Sequence, residues 1–117
     1  MREEGLKPPS LKIEGPIELP RLGRAVYVRE MGAGDLVEFD GLCWKPNAEG
    51  KVEFDIVAYN IGLIVMAACD AEGIRIFTVD DMPAISKWPG RDARLVTRAA
   101  ARVNPPIETA VEEASKN

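Results

Sequence analysis

The chain has no histidine, only two cysteines, and aromatic residues at just 6% of its 117 positions. Each shortage excludes something. Without histidine the side chain that ordinarily titrates near neutral pH is missing, so general acid–base catalysis has no natural carrier. Histidine and paired cysteine are also the usual transition-metal ligands, and Cys43 and Cys69 stand far apart with no CxxC spacing. Two lone thiols in apolar surroundings read as small buried hydrophobes in a reducing compartment, not as a disulfide. Basic charge is short as well: fifteen basic residues face nineteen acidic ones. A nucleic-acid binder needs a clustered basic footprint and aromatic stacking platforms, and the composition favours neither.

Long hydrophobic runs are also missing. The stretch Ile56 to Cys69 is 14 residues and is interrupted by Asn60, short of the roughly 20 apolar residues that span a bilayer. The opening Met-Arg-Glu-Glu-Gly has no apolar segment of the signal-peptide kind. These features predict a soluble cytoplasmic protein.

What is present suits one domain with a modest core, 46% of the residues being hydrophobic. Residues 1–16, with Pro8-Pro9 and Gly15-Pro16, read as an extended or mobile arm, which leaves 17–117 as the folded unit. Ile17 and Leu19 alternate with Glu18, Pro20 to Gly23 supplies turn chemistry, and Val26-Tyr27-Val28 forms a dense β-forming cluster. An antiparallel hairpin with a loop of about four residues is the expected result. A lone hairpin is marginal in water. It must lean on helices or add to another copy's sheet, which makes Val26 and Val28 the candidates for self-association.

Helical periodicity dominates the rest. Asp35 is placed to cap a short helix through Asp40 that Gly41 stops, and Pro46 to Gly50 reads as an exposed loop. From Phe54 to Cys69, Phe54, Val57, Ile61, Ile64 and Val65 repeat at helical spacing and predict a central helix. Asp70 to Gly73 is its stop, with Gly73 free to turn left-handed. Ile74, Ile76 and Phe77 suit a short strand or extended link. Thr78-Val79-Asp80-Asp81 then starts a helix carrying Met82, Ile85 and Trp88. Asp92 to Val103 forms another, with Leu95, Val96, Ala99, Ala100 and Val103 inward and Arg91, Arg94, Arg98 and Arg102 as a basic ridge. Ile107 to Ala114 fits a final short helix. The predicted class is α+β: a mostly α-helical single domain with an N-terminal β-hairpin.

No motif carries catalysis. Asp80-Asp81 behind a threonine is capping chemistry. Asp70, Glu72, Asp80 and Asp81 do not match the spacing of a calcium loop. Gly32-Ala33-Gly34 lacks the remainder of any phosphate-binding loop. Cys69 beside Asp70 has its thiolate disfavoured. The reading is therefore a non-enzymatic protein with no catalytic residue, no cofactor and no metal. The arginine ridge serves as a solvated face or meets an acidic protein partner, and Trp44 and Trp88 are interface anchors or core.

In order, these features resemble the tail assembly chaperones of long-tailed bacteriophages and prophages. The resemblance rests on Leu19-Pro20 and Gly23 before the strand Val26-Tyr27-Val28-Arg29, and on the segment Asp35 to Phe39. It continues through the apolar helix ending Cys69-Asp70-Ala71-Glu72-Gly73, the link Ile76-Phe77-Thr78 and the acidic start Asp80-Asp81. The close at Val103-Asn104 and the tail Val111 to Asn117 complete it. It covers roughly residues 17 to 117. What it implies is an oligomeric α+β assembly protein of the bacterial host cytoplasm. Such a protein binds the aggregation-prone tape measure protein, helps recruit the major tail protein around it, and is absent from the finished virion. Holding an apolar helical client calls for a hydrophobic groove. Trp88, Leu95, Val96, Val103 and Ile107, on the last helices, are the expected lining. The alternative is a minor structural or completion protein that stays in the tail, and a weaker third is a DNA-binding regulator that uses the arginine ridge.

Overall fold

The computed structural model describes residues 10–105. Strands β1 (Ile13–Leu19) and β2 (Arg24–Arg29) form the expected antiparallel hairpin. The pairing runs from Ile13 opposite Arg29 to Leu19 opposite Arg24. The turn closes where the Gly23 amide donates to the Leu19 carbonyl at 2.9 Å, with Gly23 at φ 66°, a conformation that glycine adopts without steric cost. Between Glu14 and Ile17 the register shifts. Gly15 sits there at φ 145°, and a Cβ on it would lie 2.8 Å from the Tyr27 ring. Residues 13–16, assigned to the arm by composition, thus belong to the first strand.

A third strand was not legible. The apolar run predicted as one helix from Phe54 to Cys69 splits into three pieces. Phe54 ends a strand, α2 spans Ile56–Ala67, and Ala68–Cys69 form β5. Asp55 starts α2 by accepting from the Ala58 amide at 3.0 Å, the usual N-cap geometry. β5 pairs antiparallel with β2, Tyr27 opposite Cys69 and Val28 opposite Ala68, giving the sheet order β1-β2-β5. The acidic turn that follows is built by Asp70, whose Oδ1 accepts from the amides of Glu72 and Ile74 at 2.9 and 3.0 Å. Gly73 takes its left-handed φ of 86° within this turn instead of at a helix end.

Helix α1 (Ala33–Cys43) is longer than the predicted Asp35–Asp40. Gly32 is its N-cap, and Asp35, inside the first turn, accepts from the Gly32 amide at 3.0 Å. Gly41 does not end it, because Leu42 and Cys43 still pack inward. α1 lies on α2 at Gly62, where a Cβ would meet Leu42 at 3.4 Å and Phe39 at 3.5 Å. After α1, the predicted loop is the turn of a second hairpin, with only Pro46 drawn into a strand: β3 (Trp44–Pro46) pairs with β4 (Val52–Phe54), Trp44 opposite Phe54.

The region from Thr78 is a short 3-10 turn, Val79–Asp81, followed by one turn of helix, α3 (Met82–Ile85). The Thr78 amide donates to Asp81 Oδ2 at 2.8 Å. The last described helix, α4 (Gly90–Val103), buries Asp92, Val96, Ala99, Ala100 and Val103 against the β1–β2 hairpin and α2. Two polar contacts fasten α4 to the hairpin, one at each end. Asp92, fully buried, accepts from the Leu22 amide at 2.8 Å. Asn104 accepts from the Met31 amide at 2.7 Å and donates to the carbonyls of Arg29 and Ala100, both at 3.0 Å. The architecture is α+β, one core among the sheet, α2 and α4, to which α1, packed on α2, adds Phe39 and Cys43. Among the described residues no helix is long and apolar enough to cross a membrane. The predicted helix Ile107 to Ala114 lies outside the described residues.

Candidate functional site

Large apolar side chains that remain in solvent are the informative ones, and they concentrate between Leu36 and Val57. Val37 is 73% exposed, Val52 64% and Val57 63%, with Leu36, Trp44, Phe54 and Ile56 also exposed. Folding has left these residues uncovered although a core was available, and exposed apolar surface marks interaction sites where it is contiguous.

Part of this surface is concave. A groove of about 790 Å³ runs between α1, the β3–β4 hairpin, α2 and the C-terminal end of α4, and Leu36, Phe39, Trp44, Phe54, Tyr59 and Leu63 supply its apolar wall. Its aromatics form a continuous ladder. Trp44 and Phe54 are 5.0 Å apart between ring centroids, Phe54 and Tyr59 5.6 Å, and Tyr59 and Phe39 5.4 Å, all with tilted planes. Four of the seven aromatic residues in the chain are gathered here. Tilted pairs at these distances are mutually attractive, so the ladder is a preformed wall and not four independent rotamers. Glu30 and Asn104 put polar groups at the rim.

The base of α1, and with it one wall of the groove, is set by a charge cluster. Asp35 accepts from Arg29 at 2.7 Å and from Arg75 at 3.2 Å, and Arg75 also reaches Glu38 at 3.4 Å. These side chains are mostly buried apart from Glu38, so removing the shared carboxylate leaves two guanidinium groups poorly solvated and uncompensated. We expect Asp35→Ala to lower stability by about 3 kcal/mol in urea denaturation, whereas loss of the exposed Arg102–Glu14 pair is expected to change it by less than about 1 kcal/mol.

The structure distributes the predicted partner-binding residues over three environments. Val96 is wholly buried in the core. Val103 is nearly so, and touches the inner end of the aromatic groove. Trp88 is half-buried, edge-on to Phe77 at 5.5 Å, beside a smaller cleft between α2 and α4. Leu95 is half-buried among Arg91, Arg94 and Arg98. Ile107 lies outside the described residues. The set is not brought together. Val26 and Val28 are buried on β2, which pairs with β1 along its length and with β5 at Tyr27 and Val28, so both side chains are committed to the core. Trp44, weighed from the sequence as an interface anchor or core residue, stands in the groove wall; the residues missed as its companions were Phe54 and Tyr59. The signal was there in Trp-Lys-Pro and Val-Glu-Phe flanking Asn47 to Gly50, two alternating triplets around a turn.

Neither thiol belongs to the groove's chemistry. Cys43 and Cys69 are buried and free. Burial pushes the Cys43 thiol up, with Asp40 and Asp55 adding to the effect. Burial also pushes Cys69 up, against a lowering by Arg29 and with a further rise from Asp70. In each case the folded state holds the proton more tightly than the unfolded chain. The stability this contributes is full below the ordinary thiol value of 9.0 and is lost as pH rises through the raised values. Native protein at neutral pH is therefore expected to react with a thiol reagent far more slowly than urea-unfolded protein; equal rates would contradict the burial argument.

No family model matches the chain, and no curated protein matches it in sequence. Among solved structures, the tail assembly chaperone of bacteriophage HK97 superimposes with a TM-score of 0.55 at 15% sequence identity, over 85% of this chain and 88% of that one. At that identity the likeness is one of fold: this chain shares the fold of the HK97 tail assembly chaperone.

Proposed function

We propose that this protein is a non-enzymatic tail assembly chaperone of a long-tailed phage or prophage, acting in the bacterial host cytoplasm. In this reading it holds apolar segments of the tape measure protein, helps bring the major tail protein to them, and works as a homo-oligomer. The observation that supports it most is the exposed aromatic groove on a fold shared with the HK97 tail assembly chaperone. A groove of this shape suits the apolar stripe of an amphipathic helix. Covering its apolar wall contributes at roughly 25 cal/mol per Å² buried, less the costs of association.

Co-expression with the tape measure protein of the same genome tests the reading: the client is expected to move from the insoluble to the soluble fraction and to co-purify with the chain. A client that stays insoluble beside abundant folded chain would remove the proposal.

A further inference from the structure

The β3–β4 hairpin has one sealed edge and one open edge. Residues 43, 45 and 47 of the first arm face 55, 53 and 51 of the second. The Asp55 amide donates to the Cys43 carbonyl and the Asn47 amide to the Lys51 carbonyl, both at 2.7 Å, with Lys45 opposite Glu53 between them. By the alternation of an antiparallel ladder, the backbone groups of residues 44, 46, 52 and 54 point away from the hairpin. On β3 that outer edge offers no donor, because the Trp44 amide is bound to the Asp40 carbonyl and Pro46 has none. On β4, Val52 and Phe54 each present an outward N–H and C=O that meet no partner among the described residues. All six strand residues are exposed, and an isolated two-stranded hairpin is marginal in water.

We infer that the outer edge of β4 pairs with β4 of a second copy, antiparallel about a two-fold axis with Val52 opposite Val52, forming a four-stranded sheet. Charge selects both this occupant and its register. With Val52 at the centre, Lys51 lies opposite the partner's Glu53, and the symmetry makes this pair twice. Each Glu53 then sits between Lys45 of its own hairpin and the partner's Lys51. Sliding the strands so that Glu53 faces Glu53 opposes like charges, which is destabilising. Trp44, Pro46, Val52 and Phe54 share one face of the hairpin, and a two-fold axis perpendicular to the sheet puts both copies' apolar faces on the same side. The interface is isologous. The argument uses the hairpin alone and stands whether or not the groove takes a client.

Sedimentation velocity on the full chain over a wide concentration range tests this, with circular dichroism to confirm folding. The wild type is expected to reach a dimer, and Val52→Pro, which removes an outward donor without touching a β3–β4 bond, to stay monomeric. Lys51→Glu and Glu53→Lys should each weaken the dimer by about ten- to a hundredfold. The triple variant Lys45→Glu/Lys51→Glu/Glu53→Lys should recover it, because both partners of residue 53, Lys45 in its own hairpin and the second copy's Lys51, then change sign with it. A wild type monomeric throughout, a dimer indifferent to Val52→Pro, or a triple variant no better than the single variants would overturn the inference.

Discussion

Replacing Phe54 by aspartate is expected to abolish solubilisation of the tape measure protein while leaving the chain folded. Phe54 is 43% exposed and lies in the middle of the aromatic ladder, between Trp44 and Tyr59. A charge there takes the apolar contact away from a client and places an ionised group where the client would desolvate it. Central aromatic anchors of this type carry about 2 to 4 kcal/mol of binding, so at least a thirtyfold loss of affinity follows. The cost to folding is smaller, about 1 kcal/mol, because the side chain is already half in water. The contrasting variant is Leu95→Asp on α4. Leu95 stands apart from the ladder, among arginines, so client solubilisation is expected to survive it. If Leu95→Asp removed client binding and Phe54→Asp did not, the docking surface would belong on the arginine face of α4.

The second large effect is on stability. Asn104→Ala is expected to lower the free energy of unfolding by about 3 kcal/mol, read as a fall in the urea midpoint. One side chain here serves three backbone groups. It accepts from Met31 and donates to Arg29 and Ala100, joining the end of α4 to the connection between β2 and α1. Alanine leaves the part-buried Met31 amide with no acceptor, and a lost partner costs more than a hydrogen bond is worth. Met31 and Asn104 also stand at the groove, so the same variant is expected to weaken client binding at temperatures where it remains folded. Val96→Asp is the control for loss of the core, since a charge at a wholly buried position is expected to prevent folding.

Much of this fold is legible in the residues, and the failures have physical causes. The β1–β2 hairpin is marked by turn chemistry and β-branched residues. The α4 helix is marked by apolar residues on one face and arginines on the other. Both signals are local, and both elements appear as expected except that β1 begins at Ile13, within the segment assigned to the arm. β5 is two residues at the end of an apolar run. A helix and a buried strand that are apolar throughout look alike to periodicity, and only pairing with β2 separates them. The β3–β4 hairpin was hidden because Phe54 sits at helical spacing from Val57 and Ile61, while Asp55, the residue that caps the helix, comes one position later. Asp92 and Asn104 read only as the start and the close of a helix. Their use as fasteners depends on amides at Leu22 and Met31, about seventy residues away. The groove escaped for the same reason: its wall joins Leu36, Trp44, Phe54, Tyr59 and Val103, and no sequence window contains them all.

The most direct test of the account is co-expression of the chain with the tape measure protein, in wild-type and Phe54→Asp forms, followed by measurement of soluble complex. Wild-type chain is expected to bring the client into solution as a complex, and the Phe54→Asp chain, itself folded, to leave it in the pellet. A client that remains insoluble with the wild type, or one that both forms rescue equally, would contradict the aromatic groove as the holding site.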